Sequence, residues 1–181
     1  MNRPITTLFM LMSVDGKISP GASDNLDVDK DFPTIEGLKE GLHQYYEIEQ
    51  TTDLWSFNTG RVQEKMGVNE KEPPSKSSVS FVIMDNHHLS QAGVRYFSAW
   101  AKEFVLITNN KFHPAFDVDE DNLHIIYQEE QDLRCALVQL KSEYGCSLMS
   151  NDELSGLGVL KLEDCKVLED SYLRLRYKVI S

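Results

Sequence analysis

Two periodicities alternate along the chain. Ile5-Thr6-Thr7-Leu8-Phe9-Met10-Leu11-Met12 is β-branched or apolar throughout, the pattern of a central strand covered on both faces. Val79-Ser80-Phe81-Val82-Ile83-Met84, Phe104-Val105-Leu106-Ile107-Thr108 and Leu123-His124-Ile125-Ile126-Tyr127 share that character, and residues 53–57 form a weaker candidate. Between these runs the apolar positions fall at helical spacing. Ile35, Leu38, Leu42 and Tyr46 mark one face after Pro33, which suits a first-turn position. Leu133, Ala136, Leu137, Leu140 and Tyr144 mark another, with Asp132, Arg134, Lys141 and Glu143 outside and Gly145 placed as the C-terminal cap. Strands alternating with helices predict an α/β domain with a largely parallel sheet.

At the C-terminus the period changes to two. Leu173, Leu175, Tyr177 and Val179 share one face and Arg174, Arg176 and Lys178 the other, which predicts a half-exposed strand. Residues 157–168 show their own mixed alternation, and Glu169-Asp170-Ser171 can turn the chain between the two segments. An antiparallel hairpin closing the otherwise parallel sheet is therefore predicted. Residues 70–78, with Pro73-Pro74 and several serines, offer nothing to bury and read as a loop inside the domain.

A length of 181 residues fits one domain around a single core, so residues 1–181 are predicted to be a single domain. With 18 Lys and Arg against 29 Asp and Glu, the formal charge is −11, which repels a phosphate backbone or an anionic membrane at long range. A small-molecule substrate fits better than nucleic acid or membrane. Residues 5–12 are too short to span a bilayer, and nothing resembles a secretory signal, which predicts a cytoplasmic protein. Cys135, Cys146 and Cys165 are odd in number and widely spaced, so neither a disulfide scaffold nor a zinc knuckle is predicted. Trp55 and Trp100 read as core aromatics.

Two segments carry candidate chemistry. Met12-Ser13-Val14-Asp15-Gly16-Lys17-Ile18 ends the first strand, where ligands sit in open α/β sheets and a glycine lets the backbone approach them; Asp15-Gly16 alone is also simply a good turn. Asp53 through Val62 runs as a strand into Asn58-Thr59-Gly60-Arg61 and a helix. That turn either holds a phosphate or is an ordinary helix entry with a surface Arg. Asp27-Val28-Asp29-Lys30-Asp31 and Asp117-Val118-Asp119-Glu120-Asp121 lack the Gly and Glu of a calcium loop. Adjacent His87 and His88 point apart in an extended chain, which disfavours joint metal ligation. The signatures of the α/β-hydrolase elbow, the Walker A loop and the dinucleotide fingerprint are missing from the sequence.

Arg3-Pro4, the first strand and the Met12 to Ile18 loop together resemble the opening of the reductase domain of bifunctional riboflavin-biosynthesis enzymes, in the dihydrofolate-reductase-like superfamily. Thr52-Asp53-Leu54 through Asn58-Thr59-Gly60-Arg61 resembles that family's second strand and glycine turn, and Leu173-Arg174-Leu175-Arg176-Tyr177-Lys178-Val179 its closing strand. The resemblance implies a mixed, mainly parallel sheet flanked by helices, a homodimer, and NADPH as cofactor for hydride transfer to a ribosylaminopyrimidine phosphate or pterin-like substrate. It places Asp15, Ser13 and Lys17 beside nicotinamide and substrate, with Asp15 orienting the substrate and Ser13 or Lys17 as the alternative hydrogen-bonding group. Gly16, Asn58, Thr59, Gly60 and Arg61 would contact the cofactor, and no metal is implied.

The chain departs from the family in three places. Phe9 stands where biosynthetic members carry a lysine four residues before the loop serine. Asn58-Thr59-Gly60-Arg61 replaces a Gly-Arg-Gly-Thr turn. After Gly145 the family's strand, Gly-Gly turn, helix and further strand are missing: Cys146 runs into Ser147-Leu148-Met149-Ser150-Asn151, and such a unit needs roughly 30 residues. Phe9 and the missing Gly-Gly unit motivate the alternative reading, a catalytically inactive dimeric binding or scaffold protein of the same fold.

Overall fold

The structure, a computed structural model, describes residues 3–13, 32–52, 54–150 and 159–180. The chain forms two compact units, one of Met1–Phe9 and Thr52–Asp152, the other of Met10–Thr51 and Glu153–Ser181.

The first unit is a six-stranded parallel sheet. Its strands are β1 (Thr6–Leu8), β2 (Trp55–Thr59), β3 (Ser80–Met84), β4 (Phe104–Thr108), β5 (Leu123–Tyr127) and β6 (Leu148–Ser150), in the order β1-β6-β2-β3-β4-β5. Alternate residues of the central strands enter opposite layers, as the pleat requires. Phe81, Ile83, Phe104 and Leu106 pack on Val94, Phe97 and Ala101, while Val82, Val105 and Ile107 pack on Ala136 and Leu140. The first layer is covered by the helix Gln91–Trp100 and the second by the helix Leu133–Tyr144. Trp100 and Trp55 sit partly buried against the two layers.

Strands β4 and β5 occupy the residues their apolar runs predict. The helix Leu133–Tyr144 does too: Asp132 caps its first turn, and Gly145 closes it in the left-handed region at φ 60°, where a Cβ would be strained. β2 lies two residues later than predicted, and Asp53 falls outside the described residues.

The prediction of a central first strand is overturned. Among the described residues β1 has three residues, pairs only with β6 and forms one edge of the sheet. An unbroken apolar run reports contact on both faces but not which strands flank it. β6 takes the interior position, pairing in parallel with both β1 and β2. The sequence reading passed over it because three residues show no period. Leu148 and Met149 are nonetheless 1% and 3% exposed.

In the second unit the helix predicted from Ile35 starts later, at α1 (Leu42–Thr52), after a 3-10 turn at Phe32–Thr34. Gly37 at φ 83° interrupts the helical path between them. Tyr172 donates its hydroxyl proton to Leu38 O at 2.7 Å, and the Gln44 carboxamide pairs with the Glu169 backbone on both sides, at 3.1 and 3.2 Å. The predicted hairpin is present as β7 (Val159–Val167) and β8 (Leu173–Ile180), joined through Glu169–Ser171. It makes a two-stranded sheet of its own and does not join the parallel one. A bulge between Leu162 and Asp164 keeps Leu162 opposite Tyr177 while Cys165 pairs Leu175 and Val167 pairs Leu173. The strand predicted to be half-exposed shows both faces, Leu173, Leu175 and Tyr177 being 46–50% exposed.

Candidate functional site

Parallel strands joined by right-handed crossovers deliver their following loops to one edge of a sheet. There β2 ends in Asn58 and Thr59 and runs directly into Gly60, the first residue of α2 (Gly60–Lys65). The predicted strand and helix are present, but they meet without a separate turn: Asn58 and Thr59 end the strand and Gly60 and Arg61 begin the helix. Asn58 Nδ2 donates to Ser56 Oγ at 2.8 Å. Thr59 is extended and its side chain does not cap α2. Arg61 is exposed. Asn58, Thr59 and Arg61 thus bring a carboxamide, a hydroxyl and a guanidinium to the end of β2 and the start of α2.

Gly60 is buried, and a Cβ on it would fall inside the Asp85 side chain. Its small size therefore serves close packing within the protein. Asp85 follows β3 and its side chain is fully buried. Leu89 N–H donates to Oδ2 at 2.9 Å, and His88 N–H lies 3.1 Å from both oxygens. His113 Nε2 reaches Oδ2 at 2.9 Å and His88 Nδ1 reaches Oδ1 at 3.0 Å. Burial alone would push this carboxyl up, but the hydrogen bonds from His113, Leu89 and His88 outweigh it and hold Asp85 well below the usual carboxylate range.

An ionised Asp85 can only accept, and that assigns both imidazole tautomers. His113, 1% exposed, accepts Ala115 N–H on Nδ1 at 3.1 Å, so its proton is on Nε2 and is donated to Asp85. His88 carries its proton on Nδ1, and among the described residues its Nε2 has no protein partner. Its side chain is 39% exposed. The carboxylate's lone pairs are thus taken by N–H donors rather than offered to a cation.

The next loops are tied to the same edge. Asn86 Oδ1 accepts from Thr108 Oγ1 at 3.1 Å and Asn109 N–H at 2.9 Å, and Asn110 Nδ2 donates to Asn86 O at 2.8 Å. Asn69 Nδ2 donates to His88 O at 2.8 Å while its Oδ1 accepts Ser90 N–H at 2.9 Å.

Of the residues singled out in the sequence, Asn58, Thr59, Gly60 and Arg61 share this junction of strand and helix. Asp15, Gly16 and Lys17 lie outside the described residues, and Ser13 is described, exposed, and belongs to the second unit. Sequence reasoning missed Asp85, His88 and His113. The available signal was a polar Asp85-Asn86-His87-His88 run directly after an apolar strand, at the strand end where ligands gather.

No protein-family model matches the sequence, and no curated protein matches it. Among solved structures the chain is similar to RibD of Acinetobacter baumannii, with a TM-score of 0.61 at 12% identity. The match covers 100% of this chain, which spans 59% of the length of that one. Among the described residues no helix is long and apolar enough to cross a membrane. The six-stranded parallel sheet with helices on both faces, together with the antiparallel hairpin, gives this chain a dihydrofolate-reductase-like fold.

Proposed function

We propose that the protein is an NADPH-dependent reductase, transferring hydride to a ribosylaminopyrimidine phosphate or a pterin-like substrate of riboflavin biosynthesis. The observation that supports this reading is the sheet order β1-β6-β2-β3-β4-β5, with a strand running into the Asn58 to Arg61 segment, in a chain similar along its whole length to RibD. NADPH, when bound, supplies the hydride. Asn58, Thr59, Gly60 and Arg61 hold its phosphates or ribose and so fix its orientation. Asp15 orients the substrate, Ser13 or Lys17 offers the alternative hydrogen bond, and Gly16 lets the backbone come close. Residues 1–181 act as one reductase domain in a cytoplasmic homodimer.

The test is a titration of protein of verified mass 20.7 kDa with NADPH and with NADH, followed by tryptophan fluorescence. Saturable binding that prefers NADPH supports the reading, and no binding of either at millimolar concentration overturns it. Sustained substrate-dependent NADPH oxidation separates an enzyme from an inactive binding protein of the same fold. Asp15→Asn should then slow kcat by more than it raises the NADPH Kd, and the reverse order would remove Asp15 from the reacting centre.

A further inference from the structure

The hairpin carries its uncharged residues on one face and its charges on the other, and its register decides which of the two has to stay in water. Leu162 lies opposite Tyr177, Cys165 opposite Leu175 and Val167 opposite Leu173. They make a face without a charged residue, whose five large members are 46–71% exposed. On the other face Lys161 stands opposite Lys178 and Lys166 opposite Arg174. Like charges directly across a ladder repel, and burying them would leave them uncompensated, so the basic face is the solvated one and the apolar face is the one left to be covered. That face is also held in place. Tyr172 donates to Leu38 O, the Gln44 carboxamide clasps the Glu169 backbone, and a Cβ on Gly41 would fall inside the Tyr172 ring. The turn end of the hairpin is thus fixed against the start of α1, and its face is ordered before anything docks.

We propose that a second copy of this chain docks on the apolar face, hairpin against hairpin across a two-fold axis. This rests on the homodimer part of the reading above and names the surface that forms it. A two-fold contact presents the same patch from both sides and so needs one that complements itself, which an uncharged apolar face does and a basic face does not. A second hairpin supplies the layer that a two-stranded ribbon lacks. Charge selects the same place. The chain carries −11 overall, so two copies repel at long range. Residues 159–180 hold five Lys and Arg against four Asp and Glu, whereas the rest of the chain holds 13 against 25. The hairpin is therefore where a second copy of this acidic chain approaches with least repulsion.

The test measures the dimer Kd of the full chain by sedimentation equilibrium for the wild type, Leu175→Lys and Lys178→Ser. The wild type should dimerise. Leu175→Lys places a charge in the contact twice, once from each copy, and should raise the Kd by about 100-fold. Lys178→Ser, on the basic face, should leave it within about twofold. In dilute, separated chains Leu175 is half-exposed, so the circular dichroism of Leu175→Lys should match the wild type there. The wild type gives a second readout that needs no substitution. Iodoacetamide should alkylate exposed Cys165 more slowly as dimer forms, while exposed Cys135 on the helix Leu133–Tyr144 keeps its rate. A wild-type dimer that Leu175→Lys leaves intact, with Cys165 equally reactive at every dilution, overturns the docking face and leaves the homodimer standing. A Kd raised by Lys178→Ser and not by Leu175→Lys moves the contact to the basic face, and Cys165 slow at every dilution means that the chain covers the apolar face itself; each overturns it too. A wild type that stays monomeric to millimolar concentration overturns both face and homodimer, and the NADPH titration still decides the reductase reading.

Discussion

The six-stranded unit and the hairpin unit are written in equally regular patterns but bury their apolar residues very differently. In β3 and β4, Val82, Ile83, Phe104, Val105, Leu106 and Ile107 are all 0% exposed, whereas in the hairpin Leu162, Val167, Leu173, Leu175 and Tyr177 are 46–71% exposed. A two-stranded ribbon has no second layer of its own, so alternation in sequence defines a face without saying that it is covered. The polar interactions divide the same way. Asp85 is fully buried and gripped by five N–H groups, while Arg174 and Asp164 form a 2.8 Å pair whose side chains are 42% and 37% exposed.

This contrast predicts a ladder of effects. The largest belongs to Asp85→Ala, which strands two histidines and several backbone N–H groups and should cost about 3–5 kcal/mol in chemical denaturation. The wild type carries the matching pH signature. Because the folded Asp85 titrates below its unfolded value, its contribution is fully present above about pH 4. It is lost as the pH falls from there through the native titration. A denaturation midpoint that is flat from pH 5 to pH 2, once Asp85→Asn is subtracted as the reference, would contradict the network.

Next comes Leu106→Ala, expected to cost about 3 kcal/mol through an unfilled cavity, against less than about 1 kcal/mol for Leu175→Ala in the hairpin. Equal losses would mean that the hairpin face is as buried as the sheet. Ser90→Ala removes the side chain that caps the helix Gln91–Trp100 by accepting Gly93 N–H at 3.3 Å, and should cost about 1 kcal/mol. Smallest is Arg174→Ala, whose midpoint should match the wild type at low and high salt, since exposed pairs contribute little.

The sequence was most legible where local and tertiary demands agree. Phe104–Thr108 and Leu123–Tyr127 are apolar because both faces are covered, and Leu133–Tyr144 carries a period, an N-terminal Asp and a C-terminal Gly that all mark the same helix. It was least legible where position depends on distant partners. β1 and β6 have three residues each, and only their pairing decides which lies at the edge. Part of the candidate site was visible, since Asn58 to Arg61 span a strand end and a helix start. The reason for Gly60 was not, because the Asp85 that fills its space lies 25 positions away in the chain. The bond between Asp85 and His113 spans 28 positions, which no periodicity records.

On the proposed reading, the dinucleotide binds at the carboxyl edge of the parallel sheet, where β2 meets α2 and the Asp85 loop follows β3. The most direct measurement is a backbone amide NMR titration with NADPH. The predicted result is saturable shifts concentrated at Thr59, Gly60, Arg61, His87 and His88, with Glu103 and His124 at the opposite edge unmoved. Shifts confined to that opposite edge or to the hairpin, or no shifts at millimolar NADPH, would contradict it.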